Sequence, residues 1–135
     1  MTSLTYLRSE EQASAGLSIN SDPLLGSWLN TNTATRGIAS AILERKGEQI
    51  VLRIVAAGSS ETCDWGETPA NLFADSTSSS EAMAFSAFYD FGFMETQLQA
   101  HVRQGVLIIA KFDRFKDNSG RSNYFSKEFF YRAEP

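Results

Sequence analysis

The chain has 135 residues, 42 % of them hydrophobic and 21 % charged, and its 16 acidic and 12 basic side chains leave a formal charge of −4. That length suits one domain, large enough to bury about two-thirds of its unfolded surface with no disulfide or metal, and the balanced composition argues against general disorder. Mild acidity argues against a nucleic-acid partner, a single cysteine (Cys63) excludes an internal disulfide, and a single histidine (His101) excludes a His-rich metal site.

The opening stretch, MTSLTYLRSEEQASAGLSIN, has neither a basic start nor an apolar core, so no secretory signal is expected. No apolar run approaches the roughly 18 residues of a membrane helix. The expected setting is the cytoplasm, with no membrane partner and with Cys63 as a thiol. Residues 1–22 are rich in Ser, Glu, Gln and Ala and end at Asp22-Pro23. They read as a short, loose N-terminal extension, with room for a brief helix over Glu10 to Ala15 capped by Ser9. Residues 23–135 read as one β domain.

From Pro23 onward, runs of β-branched and aromatic residues alternate with short turn signals at Lys46-Gly47, Gln104-Gly105 and Asp117-Asn118-Ser119-Gly120. The pattern predicts strands over 25–31, 36–45, 49–57, 62–67, 70–75, 81–91, 94–103, 105–115 and 122–132, the fourth and fifth being either separate or one bent strand. In 95–103, Thr96, Leu98, Ala100 and Val102 share a dry face, while Gln97, Gln99, His101 and Arg103 share a wet one. Other strands carry large residues on both faces. Past Ala110, Lys111 and Asp113 oppose Phe112. In 122–132 the rings are split between the two faces. The fold class is therefore all-β, an up-and-down antiparallel β-barrel of about eight strands, since closure removes unpaired edges. The two-sided apolar strands imply a partly covered exterior or a homodimer that buries the barrel wall.

Leu25-Gly26-Ser27-Trp28-Leu29-Asn30, a Gly-x-Trp at the first strand, resembles the opening strand of calycin barrels: lipocalins, fatty-acid-binding proteins and avidins. The resemblance implies that Trp28 closes one end of the barrel and that a basic residue from a late strand, Arg132 or Arg114, packs across it. Thr35-Arg36-Gly37-Ile38, Cys63-Asp64-Trp65-Gly66-Glu67, Tyr89-Asp90-Phe91-Gly92-Phe93 and Gly120-Arg121-Ser122-Asn123-Tyr124-Phe125 are together similar to a group of small, functionally uncharacterised bacterial barrel proteins. That likeness implies a fold and a bacterial setting, and no chemistry. The missing secretory signal and disulfide pairs depart from lipocalins, and no avidin-like set of biotin positions is present.

Asp64, Trp65 and Glu67 form the densest polar-aromatic cluster. Asp64 is either an acceptor or general base at a barrel mouth, with Trp65 stacking on a ligand, or a turn residue capping backbone N–H groups while Trp65 plugs the core. Asp90 and Glu95 read either as an acid/base pair or as solvated hairpin acids. Arg36, Arg114 and Arg121 can grip an anion with a guanidinium fork or form internal ion pairs, for instance Arg36 with Asp64. His101 reads as a general base or a solvent-facing strand residue, and Cys63 as a nucleophile or an inert thiol. Phosphate loops, His-Glu-x-x-His, Cys-x-x-Cys and dinucleotide fingerprints are absent, which argues against nucleotide and metal enzymes, so no cofactor and no metal are expected.

The expected function is binding of a small apolar or amphipathic molecule inside the barrel. Trp28, Trp65, Phe85, Tyr89, Phe112 and Tyr124 would supply the surface, and Arg36, Asp64 and Arg114 would orient a polar end. The alternatives are a cyclase or isomerase of a small metabolite using the same cavity, with Asp64 and Tyr89 as catalytic groups, and a ligand-free assembly module.

Overall fold

The computed structural model describes residues 19–58 and 61–133. It contains nine strands: β1 (Gly26–Asn30), β2 (Ile38–Lys46), β3 (Gln49–Ala56), β4 (Cys63–Pro69), β5 (Asn71–Ala74), β6 (Ala82–Asp90), β7 (Met94–Arg103), β8 (Val106–Phe115) and β9 (Tyr124–Arg132). Each expected strand is found, with ends displaced by two residues at most. The helix expected at 10–15 lies outside the described residues.

The strands form one antiparallel sheet in the order β4-β3-β2-β1-β9-β8-β7-β6-β5. The last strand returns beside the first, with Trp28 opposite Arg132 and Asn30 opposite Phe130. Only Ala70 separates β4 from β5. β4 pairs with β3 on one side of that bend and β5 pairs with β6 on the other, so the two act as one bent strand that draws the sheet's ends together. Ala70 donates its N–H to the Ile50 carbonyl at 2.9 Å, and the Thr68 hydroxyl donates to the Phe88 carbonyl at 2.8 Å. The result is the expected up-and-down barrel, nearly closed.

Turn chemistry explains the short connections. Between β7 and β8, Gln104 and Gly105 both take positive φ, 52° and 81°, as a two-residue turn that matches the right-handed strand twist requires. Before β1, Asn20 bridges to Glu81 and exchanges hydrogen bonds with Ser80 and Ala82, and Leu24 is fully buried. The chain is thus packed onto the barrel from Asn20 onward.

Alternation sends one set of side chains inward. Trp28, Leu43, Leu52, Ile54, Phe85, Leu98, Leu107, Ile109 and Phe130 are each at most 1 % exposed, and they fill the interior. Outside, Phe112, Phe125, Phe129 and Tyr131 stand 40–54 % exposed, which accounts for the strands that are apolar on both faces.

One barrel end is sealed by Trp28. Its Nε1–H donates to the Leu24 carbonyl at 3.0 Å. The Arg132 guanidinium lies 4.3 Å from the indole centre and donates to the carbonyls of Leu25 and Pro23. Of the two bases the calycin resemblance offered, Arg132 takes this place, while Arg114 sits on the outer wall paired with Glu95 at 2.8 Å. A cation over an indole, with two charged hydrogen bonds, is worth about 1–3 kcal/mol. Arg132→Ala is therefore expected to lower stability by about that amount in urea unfolding. Arg132→Lys should recover less than half of the loss, because an ammonium cannot span both carbonyls while stacking. An unchanged midpoint in Arg132→Ala would remove the clasp.

Candidate functional site

The opposite end of the barrel is built differently. There β1, β3, β6 and β8 finish and β2, β4, β7 and β9 begin. The four stretches singled out in the sequence all arrive at this end: 35–38, 63–67, 89–93 and 120–125.

Along β8, alternation continues the inner face from Leu107 and Ile109 to Lys111 and Asp113. Both are buried, at 8 % and 2 % exposed. Asp113 accepts from the Thr96 hydroxyl at 2.5 Å and from the Lys111 ammonium. Register places Thr96 and Tyr124 on either side of Asp113. Lys111 Nζ also donates to the Tyr124 hydroxyl at 3.2 Å and lies 4.7 Å from that ring's centre. Burial pulls the Lys111 pKa down, but its bonds to Asp113 and Tyr124 and the Asp113 charge outweigh it, and the net shift is upward. Removing two charges from water costs several kcal/mol per ion, which only good pairing offsets.

A second carboxylate, Glu128 of β9, organises the neighbouring loop. It accepts from Asn30 Nδ2 at 2.9 Å, from the Ile38 N–H at 3.0 Å and from the Thr35 hydroxyl. Gly37 passes so close that a Cβ there would stand 2.5 Å from Glu128 Oε1, which explains glycine in Thr35-Arg36-Gly37-Ile38.

Aromatic rings complete this end. Trp65 meets Tyr89 and Phe91 edge-on, with centroids at 5.2 and 5.1 Å. Phe115 lies 6.4 Å from both Phe93 and Tyr124. The Arg121 guanidinium sits 4.2 Å from the Phe115 ring centre and is paired with Asp117 at 2.8 Å.

The structure distributes the expected site residues over four places. Trp65, Tyr89 and Tyr124 belong to this end. Tyr89 is buried, and its hydroxyl lies within hydrogen-bond distance of the Gly66 carbonyl at 2.8 Å and the Leu52 carbonyl at 3.3 Å, bridging the seam between β4 and β6. Burial is the chief reason its pKa rises to about 12. Asp64 and Arg36 lie exposed at the rim. Asp64 accepts from the Gly66 N–H at 2.8 Å and pairs with Arg53 at 3.5 Å rather than with Arg36. Arg36 borders an open cleft of about 430 Å³ with Thr35 and Ala57. Trp28 and Phe85 are packed core. Phe112 and Arg114 line a cleft of about 350 Å³ that opens on the outer wall beside Phe88, Gln97 and Phe125 and reaches Asp113 and Tyr124 of the barrel end.

Asp90 and Glu95 share Lys116, at 2.9 and 3.5 Å. Both are held below the usual carboxylate range, Asp90 chiefly by Lys116 and Glu95 chiefly by Arg114, so neither is poised as an acid. Cys63 is exposed, and His101 lies half-buried on the outer face between Ala84 and Ile108. Sequence reasoning missed Thr96, Lys111, Asp113, Glu128 and Asn30 as site residues. The available signal was the period-two continuation of Leu107 and Ile109 into Lys111 and Asp113.

Among the described residues no three His, Cys, Asp or Glu side chains are grouped to hold a metal ion, and no helix is long and apolar enough to cross a membrane. Compared with family models, curated proteins and solved structures, the chain matches none.

Two outcomes test this geometry. The Tyr89 phenol is raised, so the stability it lends is complete below about pH 10 and lost as pH rises toward about 12, roughly 2–3 kcal/mol over that window. Tyrosinate absorbance should show a late phase that accompanies unfolding, and Tyr89→Phe should abolish it. A titration curve that Tyr89→Phe leaves unchanged would contradict the burial. Asp113→Asn, which strands a buried ammonium, is expected to cost about 3–5 kcal/mol, whereas replacing the pair together (Lys111→Met with Asp113→Leu) should cost far less. Chemical denaturation of the two variants measures the difference.

Proposed function

We propose that the protein binds a small amphipathic molecule at the barrel end opposite Trp28, held by the rings around Tyr124 and by the Lys111–Tyr124 pair. The observation that carries this reading is the buried Lys111–Asp113 pair at the end of a barrel whose middle is apolar. As a stability device such a pair is weak, because an apolar pair of similar size usually does as well or better. A buried cation beside exposed rings instead favours recognition of a polar group.

The chemistry follows from the hydrogen-bond inventory. Tyr124 accepts from Lys111, so its own O–H proton is free to donate to a ligand oxygen. Lys111 uses two of its three donors on Asp113 and Tyr124. A carbonyl or carboxylate oxygen suits these two groups, and Phe93, Phe115 and the Tyr124 ring suit an apolar body. At about 25 cal/mol per Å² of apolar area buried, a ligand covering roughly 200 Å² gains about 5 kcal/mol before the losses of association. With the barrel's middle filled by Trp28, Phe85 and Phe130, the ligand sits at the end and not deep inside.

A cyclase or isomerase would draw on the same end. Tyr89, turned toward two carbonyls, and Asp64, exposed and paired, lend that alternative less support than binding. The reading takes the barrel as calycin-like, on the Gly26-x-Trp28 strand and the Arg132 clasp, and as a bacterial cytoplasmic protein on the sequence grounds given above.

An anilinonaphthalene sulfonate dye and a series of aromatic carboxylates serve as probes, read by Trp65 fluorescence in a Trp28→Phe background. Binding is expected with a Kd in the micromolar range, weakened about tenfold or more by Tyr124→Ala or Lys111→Met and unchanged by Phe112→Ala. Loss of binding in Phe112→Ala alone would move the site to the outer wall and overturn the proposal, as would the absence of binding by every probe.

A further inference from the structure

The outer wall over β7, β8 and β9 is apolar in a self-matching way. Along β8 the outward residues are Val106, Ile108, Ala110 and Phe112. Register sets Phe125 beside Phe112, Phe129 beside Ile108 and Tyr131 beside Val106. Phe125, Phe129 and Tyr131 form a ridge along β9, and Phe112 joins it with ring centroids 5.1 Å from Phe125. On the other side of β8 lies a groove of about 530 Å³, floored by small or polar side chains that include Ala84, Ser86, Gln99 and Ala110.

We infer that two copies of this chain pack wall to wall about a two-fold axis running along β8, the ridge of each seated in the groove of the other. Such an axis carries β9 of one copy over β6 and β7 of the other, where the groove lies. Ala110, at the middle of β8, sits on the axis, and its small side chain lets the two walls approach. Lys127, the one base in the middle row of the ridge, falls opposite Gln99 of the second copy, since both register with Ala110. Rows through Phe112, Ala110 and Ile108 carry no acid, so no buried carboxylate opposes closure. The nearest acid, Glu95, lies beyond them, already paired with Arg114.

The areas agree with this occupant. At 40–54 % exposure, Phe112, Phe125, Phe129 and Tyr131 present roughly 400 Å² of ring surface, half of the ~800 Å² each side of a standard interface buries. The groove walls and the outward residues of β8 make up the rest. A bare aromatic ridge would suit any apolar partner, but a ridge and its complementary groove on one wall, related by a two-fold, suit a second copy. The inference is independent of ligand binding at the barrel end.

Sedimentation equilibrium of the full chain at micromolar concentration should give twice the 14.9 kDa chain mass. Phe125→Glu and Phe129→Glu should each weaken the dimer at least about tenfold while leaving far-ultraviolet circular dichroism unchanged. Ala110→Cys in a Cys63→Ser background should form a disulfide-linked dimer on mild oxidation, which decides the matter even if the glutamate variants misfold. A wild-type monomer throughout the micromolar range overturns the inference. So does a dimer that resists both glutamates and gives no Ala110→Cys cross-link. A monomer that still binds the naphthalene sulfonate dye would remove the dimer and leave the ligand site standing.

Discussion

Closure of the sheet through the bend at Pro69-Ala70 is the constraint on which the rest of the molecule depends. A flat nine-stranded meander would leave β4 and β5 as edges and spread its inner side chains over a plane. Because one strand bends and pairs with β3 before the bend and β6 after it, alternate residues from every strand converge on one enclosed volume. Where β4 and β6 part, the Tyr89 hydroxyl and Thr68 hydroxyl bridge the seam to backbone carbonyls. Those side-chain bonds replace ladder bonds that the bend gives up.

The two ends of this volume solve the same burial problem in opposite ways. At the Trp28 end, an indole plugs the opening, and a guanidinium from the adjacent strand covers its face and ties two carbonyls of the incoming chain. At the other end, the inward positions are occupied by Lys111, Asp113, Thr96 and Glu128, and polar groups satisfy one another instead of being excluded. Each carboxylate has several donors. Asp113 has Thr96 and Lys111, and Glu128 has Asn30, Thr35 and the Ile38 N–H. This end is polar within and aromatic at its rim, which is the arrangement a ligand with one polar and one apolar part requires.

The barrel's outer surface carries a third feature. Aromatic residues that a closed interior has no room for are displayed on β8 and β9, where Phe112 pairs with Phe125, and Phe129 and Tyr131 carry the ridge on beyond Lys127. Interior packing and surface display thus draw on the same rule of alternation: the parity of a residue along its strand decides whether its ring becomes core or contact surface. Phe130 is fully buried, and its neighbours Phe129 and Tyr131 are 44 % and 48 % exposed.

Strand positions and the up-and-down order were legible in the sequence because they rest on local signals, namely β-branched runs and glycine at turns. The expectation that Trp28 closes one end came from the calycin resemblance and not from those signals. Period-two alternation also made the two-sided character of β8 and β9 visible. It did not say which parity of β9 faces inward, since rings fall on both sides, and only pairing with β8 decided that Phe130 is core and Phe129 is wall. For the same reason Phe112 and Arg114 came to the exterior while Lys111 and Asp113 went inside. The polar cluster joins residues from β7, β8 and β9, and the Glu128 hub joins β9 to a loop more than ninety positions earlier. The distances that turn those scattered side chains into one site exist only once the strands are in register and the barrel has closed.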